Sequence, residues 1–534
     1  MTAAIQLILF LLAVLALVAI IAQRLKLAPS ILLVIAGIAI AFVPGLPSVE
    51  LAPDLVLLVL LPPLIYSAGV SMSWREFCFN LRPITLLAFG AVIFTTVAVA
   101  AALHHLLGWP WSVAFVLGAI VSPPDVVAPL AIARRLGLPR RLLVVLEGEG
   151  LANDATALIL YRFAVVAVST GMFSAPTAAG TFALIVVGEI IYGVGIGWLS
   201  LRLRHWAQNP RVEITLSLMT PFLAFWVPHH VGGSGVLATV AAGLYVSWNG
   251  PRLISASTRL QGIFFWDLII YLIEGFVFLI TGLQARTIIE KAQSFPVAEV
   301  LTATAITAAI VIVARFVWVF PATYGPRWLV PAIRRRDPYP HWKWVFIIAF
   351  TGVRGVVSLA AALAIPLTIE GGAAFPQRDL ILFATFGVII VTLVGQGLML
   401  PTVIRWLDPP EDGDAEHRAE RQAELEARNE AIHAARQHLD RLATERGLNE
   451  EIVAFLNARH DQRERLIPSD LDDGMAAMRV RNDLRLELIS AERDFLYELL
   501  RSGRITDESR RRLERDLDLE EAAILARREG ETPL

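Results

Sequence analysis

The chain has 534 residues, is 56% hydrophobic and has a mean hydropathy of +0.61, too apolar for a water-soluble protein of this length. The formal net charge of −2 conceals an uneven distribution, because long apolar runs stop near Asp408 and Arg and Glu dominate beyond it. The single cysteine, Cys78, excludes an intramolecular disulfide framework. The composition therefore implies an all-α polytopic membrane part, 1–407, followed by a soluble helical tail, 408–534. No cofactor, metal or nucleic-acid partner is expected from it.

Apolar windows long enough to span a bilayer recur at 4–22, 29–43, 53–70, 83–107, 111–133, 142–169, 178–203, 212–228, 235–248, 261–284, 297–320, 343–366 and 379–404, thirteen in all. Ala4–Ala22 has no preceding positive cluster and no small-residue cleavage site, so it reads as a retained span. Loop charge alternates. One set of loops carries Arg24 and Lys26, Arg75 and Arg82, Arg134, Arg135, Arg140 and Arg141, Arg202, Arg204 and Arg211, Arg252 and Arg259, then Arg327, Arg334, Arg335, Arg336 and Lys343. The opposite set carries only Arg286, Lys291 and Arg378. The rule that basic loops stay inside places the N-terminus outside and the tail in the cytoplasm.

Two windows are interrupted. The fifth is cut by Ser122-Pro123-Pro124-Asp125, and consecutive prolines remove backbone donors and clash with the preceding turn. The twelfth is cut at Thr351-Gly352-Val353-Arg354-Gly355, where glycines flank a lone arginine. Interrupted spans in both halves of an apolar chain point to inverted repeats with crossed broken helices at the midplane. Half-helix ends carry about half an elementary charge, so Asp125 is placed to offset N-terminal ends and Arg354 C-terminal ends. The sixth window carries Glu147, Glu149, Asn153 and Asp154 among apolar residues, and carboxylates at bilayer depth are costly unless they function. Glu149 and Asp154 are about 140° apart around a helix, so they face different neighbours. Glu147, near the cytoplasmic end, reads as a hydrated funnel residue; Glu189 as a buried hydrogen-bonded acid; and His229-His230 as a solvated turn on the outer side. In the tail, Pro409–Gly413 reads as a linker, Gly447, Pro468 and Gly503 divide about four helices, and Leu484, Leu488, Ala491, Phe495 and Leu499 recur at helical spacing.

These residues resemble the sodium/proton exchanger branch of the monovalent cation/proton antiporters. The resemblance runs through Leu61-Pro62-Pro63, the Pro-Asp break, Glu149-Gly150-Leu151-Ala152-Asn153-Asp154, Phe278–Leu283, Ala314-Arg315, Gly352–Gly355 and Gly395-Gln396-Gly397. It implies a homodimer of inverted-repeat protomers in the cell membrane, exchanging Na⁺ for H⁺ in pH and cation homeostasis. Carried over to this chain, it makes Asp154 the carboxylate that binds cation or proton, and Asn153 the mark of electroneutral one-for-one exchange. Glu149 matches a glutamate that pairs with an arginine, for which Arg315 fits best, and Asp125 and Arg354 match the charges at the helix crossing. The pairing has its own physical ground, since an unpaired Glu149 would cost several kcal/mol at this depth and Arg315 cannot shed its charge. Two departures bear on ion preference: Gly150 stands where members often carry a hydroxyl, and Ser67 where some carry an acid. Glu274 matches a glutamate in some members.

A carboxylate in a half-dry cavity can hold either a proton or a partly dehydrated cation. Oxygen donors suit sodium, and Asp154, Ser122 Oγ, the carbonyls freed by Pro123 and Pro124, and water are the expected set, with Asn153 and Asp125 counted among the ion-binding residues. Glu274 and Ser67 are expected just behind them. Alternatives are a K⁺/H⁺ antiporter, a cation channel or a non-transporting membrane sensor. No filter-like repeat supports a channel, and no recognisable output domain supports a sensor. No nucleophile–base or metal set marks an enzyme.

Overall fold

The computed structural model describes residues 2–44, 52–370, 372–409, 412–465 and 471–531. Among these residues the regular structure is helical, apart from one isolated bridge between Thr368 and Ala374. The chain divides into two compact units, Met1–Pro409 and Pro410–Leu534. In the first, the order is α1 (Thr2–Leu25), α2 (Pro29–Ala41), α3 (Pro53–Ser71), α4 (Trp74–Phe79), α5 (Leu81–Leu107), α6 (Trp111–Val121), α7 (Val127–Arg135), α8 (Arg140–Thr170), α9 (Ala175–Ala207), α10 (Pro210–His230), α11 (Val236–Leu253), α12 (Ala256–Leu283), α13 (Ala285–Ala292), α14 (Val297–Leu329), α15 (Pro331–Arg336), α16 (Trp342–Phe350), α17 (Val356–Leu363) and α18 (Arg378–Leu407).

Among the described residues, eight helical stretches are long and apolar enough to cross a membrane: α1, α3, α5, α8, α9, α12 with α13, α14 and α18. Windows 111–133 and 343–366 hold the half-helix pairs α6–α7 and α16–α17, and windows 29–43, 212–228 and 235–248 hold α2, α10 and α11. His229 and His230 lie in the last turn of α10 and not in a loop. The chain turns only after them, at Gly232, whose φ of +93° a side chain would resist.

Small residues set the helix spacing. A Cβ on Gly193 of α9 would lie 2.1 Å from the Ala238 carbonyl of α11, and one on Gly37 of α2 would lie 2.3 Å from Leu279 O of α12. Without a strong hydrophobic force between helices in lipid, such backbone approach carries much of the packing. The Leu61-Pro62-Pro63 motif leaves its mark within α3. The prolines lack N–H groups, and the turn before them shifts register, so that Leu61 N–H reaches the Val56 carbonyl five residues back.

Asp337, in the loop between α15 and α16, gathers three arginines. Arg327 and Arg141 donate to it at 2.7 and 2.8 Å, and Arg82 also pairs with it. Burial opposes its charge, but the bonds and charges of Arg141 and Arg327 outweigh this and hold its carboxyl below the usual range. A group whose folded pKa is depressed contributes stability above its unfolded pKa and loses it as pH falls through the folded one. Asp337→Asn should therefore lower the melting temperature at neutral pH, and the gap from the parent should close on acidification below the ordinary carboxylate range. Differential scanning fluorimetry across pH checks both.

The second unit comprises α19 (Asp412–Arg446), α20 (Glu450–Arg465), α21 (Leu471–Arg501) and α22 (Asp507–Glu531), four helices among the described residues. Gly447 and Gly503 adopt positive φ just past helix ends. Pro468 and the centre of the expected linker, residues 410–411, lie outside the described residues. The packed contact on α21 is not the stripe read from the sequence. Ile489 is buried against Leu517 and Ile524 of α22, whereas Leu484, Leu488 and Phe495 stay exposed. The ion pairs Arg485–Glu520 and Arg493–Asp518 flank this contact.

Candidate ion-binding site

The site forms where the two broken helices cross, and its logic is an account of backbone hydrogen bonds. A continuous helix would pair Asp125 N–H with the Val121 carbonyl. Here Asp125 N–H donates instead to Val353 O, in the other break, at 2.6 Å. The orphaned Val121 carbonyl accepts from Arg354 Nε at 2.8 Å, and Ser122 O accepts from Arg354 Nη2 at 3.3 Å. Arg354 Nη1 also reaches its own Gly352 carbonyl, and its N–H donates to Thr392 Oγ1 on α18 at 2.9 Å. Arg354 is buried and serves the C-terminal end of α6. Asp125 serves N-terminal ends: its Oδ1 accepts from Val127 N–H at 2.9 Å, at the start of α7. Its Oδ2 lies so close to Gly355, at the head of α17, that a Cβ there would sit 1.8 Å away. Gly352 likewise makes room for Arg315, whose Cδ would be 2.4 Å from a Cβ. The two glycines of the second break are thus footprints of two specific side chains.

A cavity of about 540 Å³ opens beside the crossing. Pro123, Pro124, Asp125, Gly355 and Ser358 form one wall, and Gly150, Leu151 and Asp154 of α8 another. Ser67 and neighbours on α3 and a face of α12 complete it. Glu147 and Arg134, paired with each other, also line it and lie toward the end of α8 that begins at Arg140. Asp154 is partly exposed to this space and has no hydrogen-bond partner among the described residues. Of the residues singled out in the sequence, Asp154, Asp125, Pro124, Ser67 and Glu274 meet at the cavity.

Asn153, Ser122, Glu149, Arg315 and Arg354 are absent from its lining. Asn153 is buried and its amide donates to Pro124 O at 2.6 Å, so it braces the first break from α8. Ser122 Oγ, expected as an ion donor, is buried and donates to Ala119 O at 3.0 Å. That carbonyl is the one Pro123 leaves without an N–H, so hydroxyl and freed carbonyl satisfy each other. Glu149 and Arg315 form a buried bidentate pair, with Nη1–Oε1 2.6 Å and Nη2–Oε2 2.9 Å, and Arg315 Nε also donates to Ile348 O at 3.2 Å. The absence of a hydroxyl at position 150 has a steric basis, because a Cβ there would lie 2.5 Å from Val126 Cγ2. Among the described residues, no group of three or more His, Cys, Asp or Glu side chains is placed to hold a metal.

One acid of the cavity escapes the sequence reading. Asp267 lies seven residues before Glu274, with Tyr271 between them at helical spacing, and all three share the face of α12 that lines the space. The i, i+4, i+7 pattern of polar residues in an apolar window was the available signal. Glu189 is a capping acid. Its carboxylate accepts from Ser234 Oγ at 2.9 Å, Gly235 N–H at 2.9 Å and Leu237 N–H at 3.1 Å, at the start of α11.

Residues 10–406 match the family model described as sodium/hydrogen exchanger, transmembrane. An uncharacterised Na⁺/H⁺ exchanger from Mycobacterium tuberculosis is 36% identical over 514 residues, 94% of this chain and 93% of that protein. A sodium, potassium, lithium and rubidium/H⁺ antiporter from Bacillus subtilis is 34% identical over 386 residues, 70% of this chain and 57% of that protein. Among solved structures, a sodium proton antiporter from Methanocaldococcus jannaschii superposes with a TM-score of 0.62 at 19% identity, covering 76% of this chain and 99% of that one.

Proposed function

This chain belongs to the sodium/hydrogen exchanger family of multi-pass membrane transporters, and from that premise we propose that it exchanges Na⁺ for H⁺, one for one, at Asp154 by alternating access. The observation that carries the reading is Asp154 itself, a carboxylate on the cavity wall beside the helix crossing with no hydrogen bond among the described residues. Every other charge at the crossing is committed. Arg354 and Asp125 serve helix ends, and Glu149 is held by Arg315. Asp154 is the carboxylate beside the break that we take to alternate between a proton and a partly hydrated cation, with Glu274 and Asp267 as further acids on the α12 wall. Pro124, Ser358 and water are the oxygen sources nearest the space, and Glu274 and Ser67 complete its surroundings.

In this reading Asn153 holds the break without titrating, so one carboxylate carries one charge in either direction. The cavity opens toward Arg134 and Glu147, the end flanked by the basic loop, which makes that end cytoplasmic and the N-terminus external. The chain would act as a homodimer in the cell membrane, in pH and cation homeostasis, with residues 1–407 carrying transport and 408–534 a cytoplasmic tail that regulates it or steadies the dimer. The relative named for sodium, potassium, lithium and rubidium supports a second reading in which K⁺ is also carried.

The experiment is proton movement in proteoliposomes on separate addition of Na⁺, Li⁺ and K⁺. Na⁺ should alkalinise the lumen of acid-loaded vesicles; no response to any of the three ions would reject exchange. Stoichiometry follows from the same assay. Because the field acts on net charge moved, at about 2.3 kcal/mol per charge per 100 mV, an imposed potential of either sign should leave the equilibrium proton gradient unchanged. A systematic shift with voltage would bring a second titrating carboxylate into the cycle, with Glu149 and Asp125 the first suspects.

A further inference from the structure

The far side of the membrane unit, away from the cavity mouth, is closed by a different device. Arg162 lies eight residues beyond Asp154 on α8, about 12 Å along the axis, and about 33 Å from Arg140. Its Nη1 donates to Gly233 O at 2.6 Å and its Nη2 faces His229 Nδ1 at 2.8 Å. Both partners belong to the end of α10 and the turn before α11, so one side chain ties the helix that carries Asp154 to the neighbouring hairpin. Beneath it Leu158, Tyr161, Phe225 and Val236 belong to one buried apolar cluster. The cavity beside Asp154 thus extends to Arg134 and Glu147, while Arg162 stands beside apolar packing toward the other end of α8.

We propose that Arg162 is the far-side latch of the exchange cycle and that a proton arriving at His229 from that side opens it. The proposal rests on the alternating-access reading, since only a site that must open outward needs a releasable closure there. The chemistry is set by the donor inventory. Arginine has no acceptor, so His229 Nδ1 must present its lone pair and the ring must be neutral on that nitrogen. A second proton would set two donors and two positive charges face to face, and the guanidinium would leave. The other groups facing the pair are Tyr161 beside Arg162 on α8, Glu189 on α9, His230 in the same turn, and Asp54 at the start of α3. Glu189 is already bound to four donor atoms around Ser234 and Leu237, which keeps it from taking Arg162's place on His229. Far-side protons, the co-substrate from that side, would then both open the route and load the site.

The test uses the full chain with Cys78→Ser and a reporter, Leu237→Cys, in the first turn of α11 within the closed region. Membrane-impermeant maleimide is applied from the Arg162 side of sided vesicles. Arg162→Gln should raise the labelling rate about fivefold or more, the ratio matched by one hydrogen bond of ordinary net strength. In the parent, labelling should accelerate as that side is taken from about pH 7.5 to about pH 4.5, through and below the ordinary histidine range. His229→Gln keeps an acceptor for Arg162 and cannot titrate, so it should label slowly at all these pH values. In exchange assays it should lose the far-side pH dependence and keep the near-side profile. Unchanged labelling in Arg162→Gln, no acceleration by acid in the parent, or acid acceleration retained in His229→Gln would each overturn the latch. Labelling needs no transport, so failure of exchange at Asp154 would be seen separately, as a parent protein that labels as expected but moves no protons.

Discussion

Asp154→Asn is expected to abolish cation-dependent proton movement while leaving a folded, normally assembled protein. The substitution keeps volume and hydrogen-bonding shape and removes the charge that alternates between ligands. Folding should tolerate it, because Asp154 has no protein partner to lose and faces the cavity. The measurement is proteoliposome exchange beside a melting curve and a size-exclusion profile. Exchange should fall to the level of empty vesicles for Na⁺, Li⁺ and K⁺ alike, with the melting temperature unchanged or raised. Substantial exchange with normal folding would move the site elsewhere, and Asp125, on the same cavity, would become the candidate.

The second large effect concerns stability and not transport. Glu149 and Arg315 are both buried and satisfy each other through two parallel bonds. Removing either partner leaves an uncompensated charge in a dry interior, a loss of about 3–5 kcal/mol. Glu149→Gln and Arg315→Gln should each lower the melting temperature strongly, and the double variant should recover part of the loss. A double-mutant cycle on thermal or denaturant unfolding in detergent reads the coupling directly. Glu149→Gln should be the worse of the two, because the arginine it strands cannot shed its charge, whereas a stranded Glu149 can take up a proton and Ile348 O keeps Thr351 Oγ1 as a donor. Strict additivity would show that the two side chains do not act as a pair.

These effects were unequally legible in the sequence. The breaks announced themselves, because Pro123-Pro124 and Gly352/Gly355 punctuate apolar windows in ways backbone chemistry cannot ignore. Asp154 and Glu149 stood out because carboxylates are rare at such depth, and the need of Arg315 for an anion suggested its partner. What hid was whatever depends on direction in space. Ser122 reads as an ion donor in the sequence, and only the structure shows that its hydroxyl donates to Ala119 O, the carbonyl that Pro123 leaves without an N–H. Asp267 sits in a window apolar enough to pass without remark, and only the face it shares with Tyr271 and Glu274 brings it to the cavity. Arg162 belongs to no motif in the sequence, and its grip on Gly233 and His229 joins residues far apart in the chain. In the tail, the periodicity on α21 shows a helix, but which residues meet α22 is seen only in the structure, where Ile489 is buried against Leu517 and Ile524.

The main-chain bond from Asp125 to Val353 has a consequence for how such a transporter can diversify. It is made by backbone atoms, so no side-chain substitution deletes it, and with Arg354 it welds the two breaks into a single piece. The walls contributed by α3 and α12 carry no such tie to the crossing. Under the proposed exchange, substitutions on α3 and α12, Ser67 and Glu274 among them, can change the cavity's charge and oxygen donors while the weld stays in place.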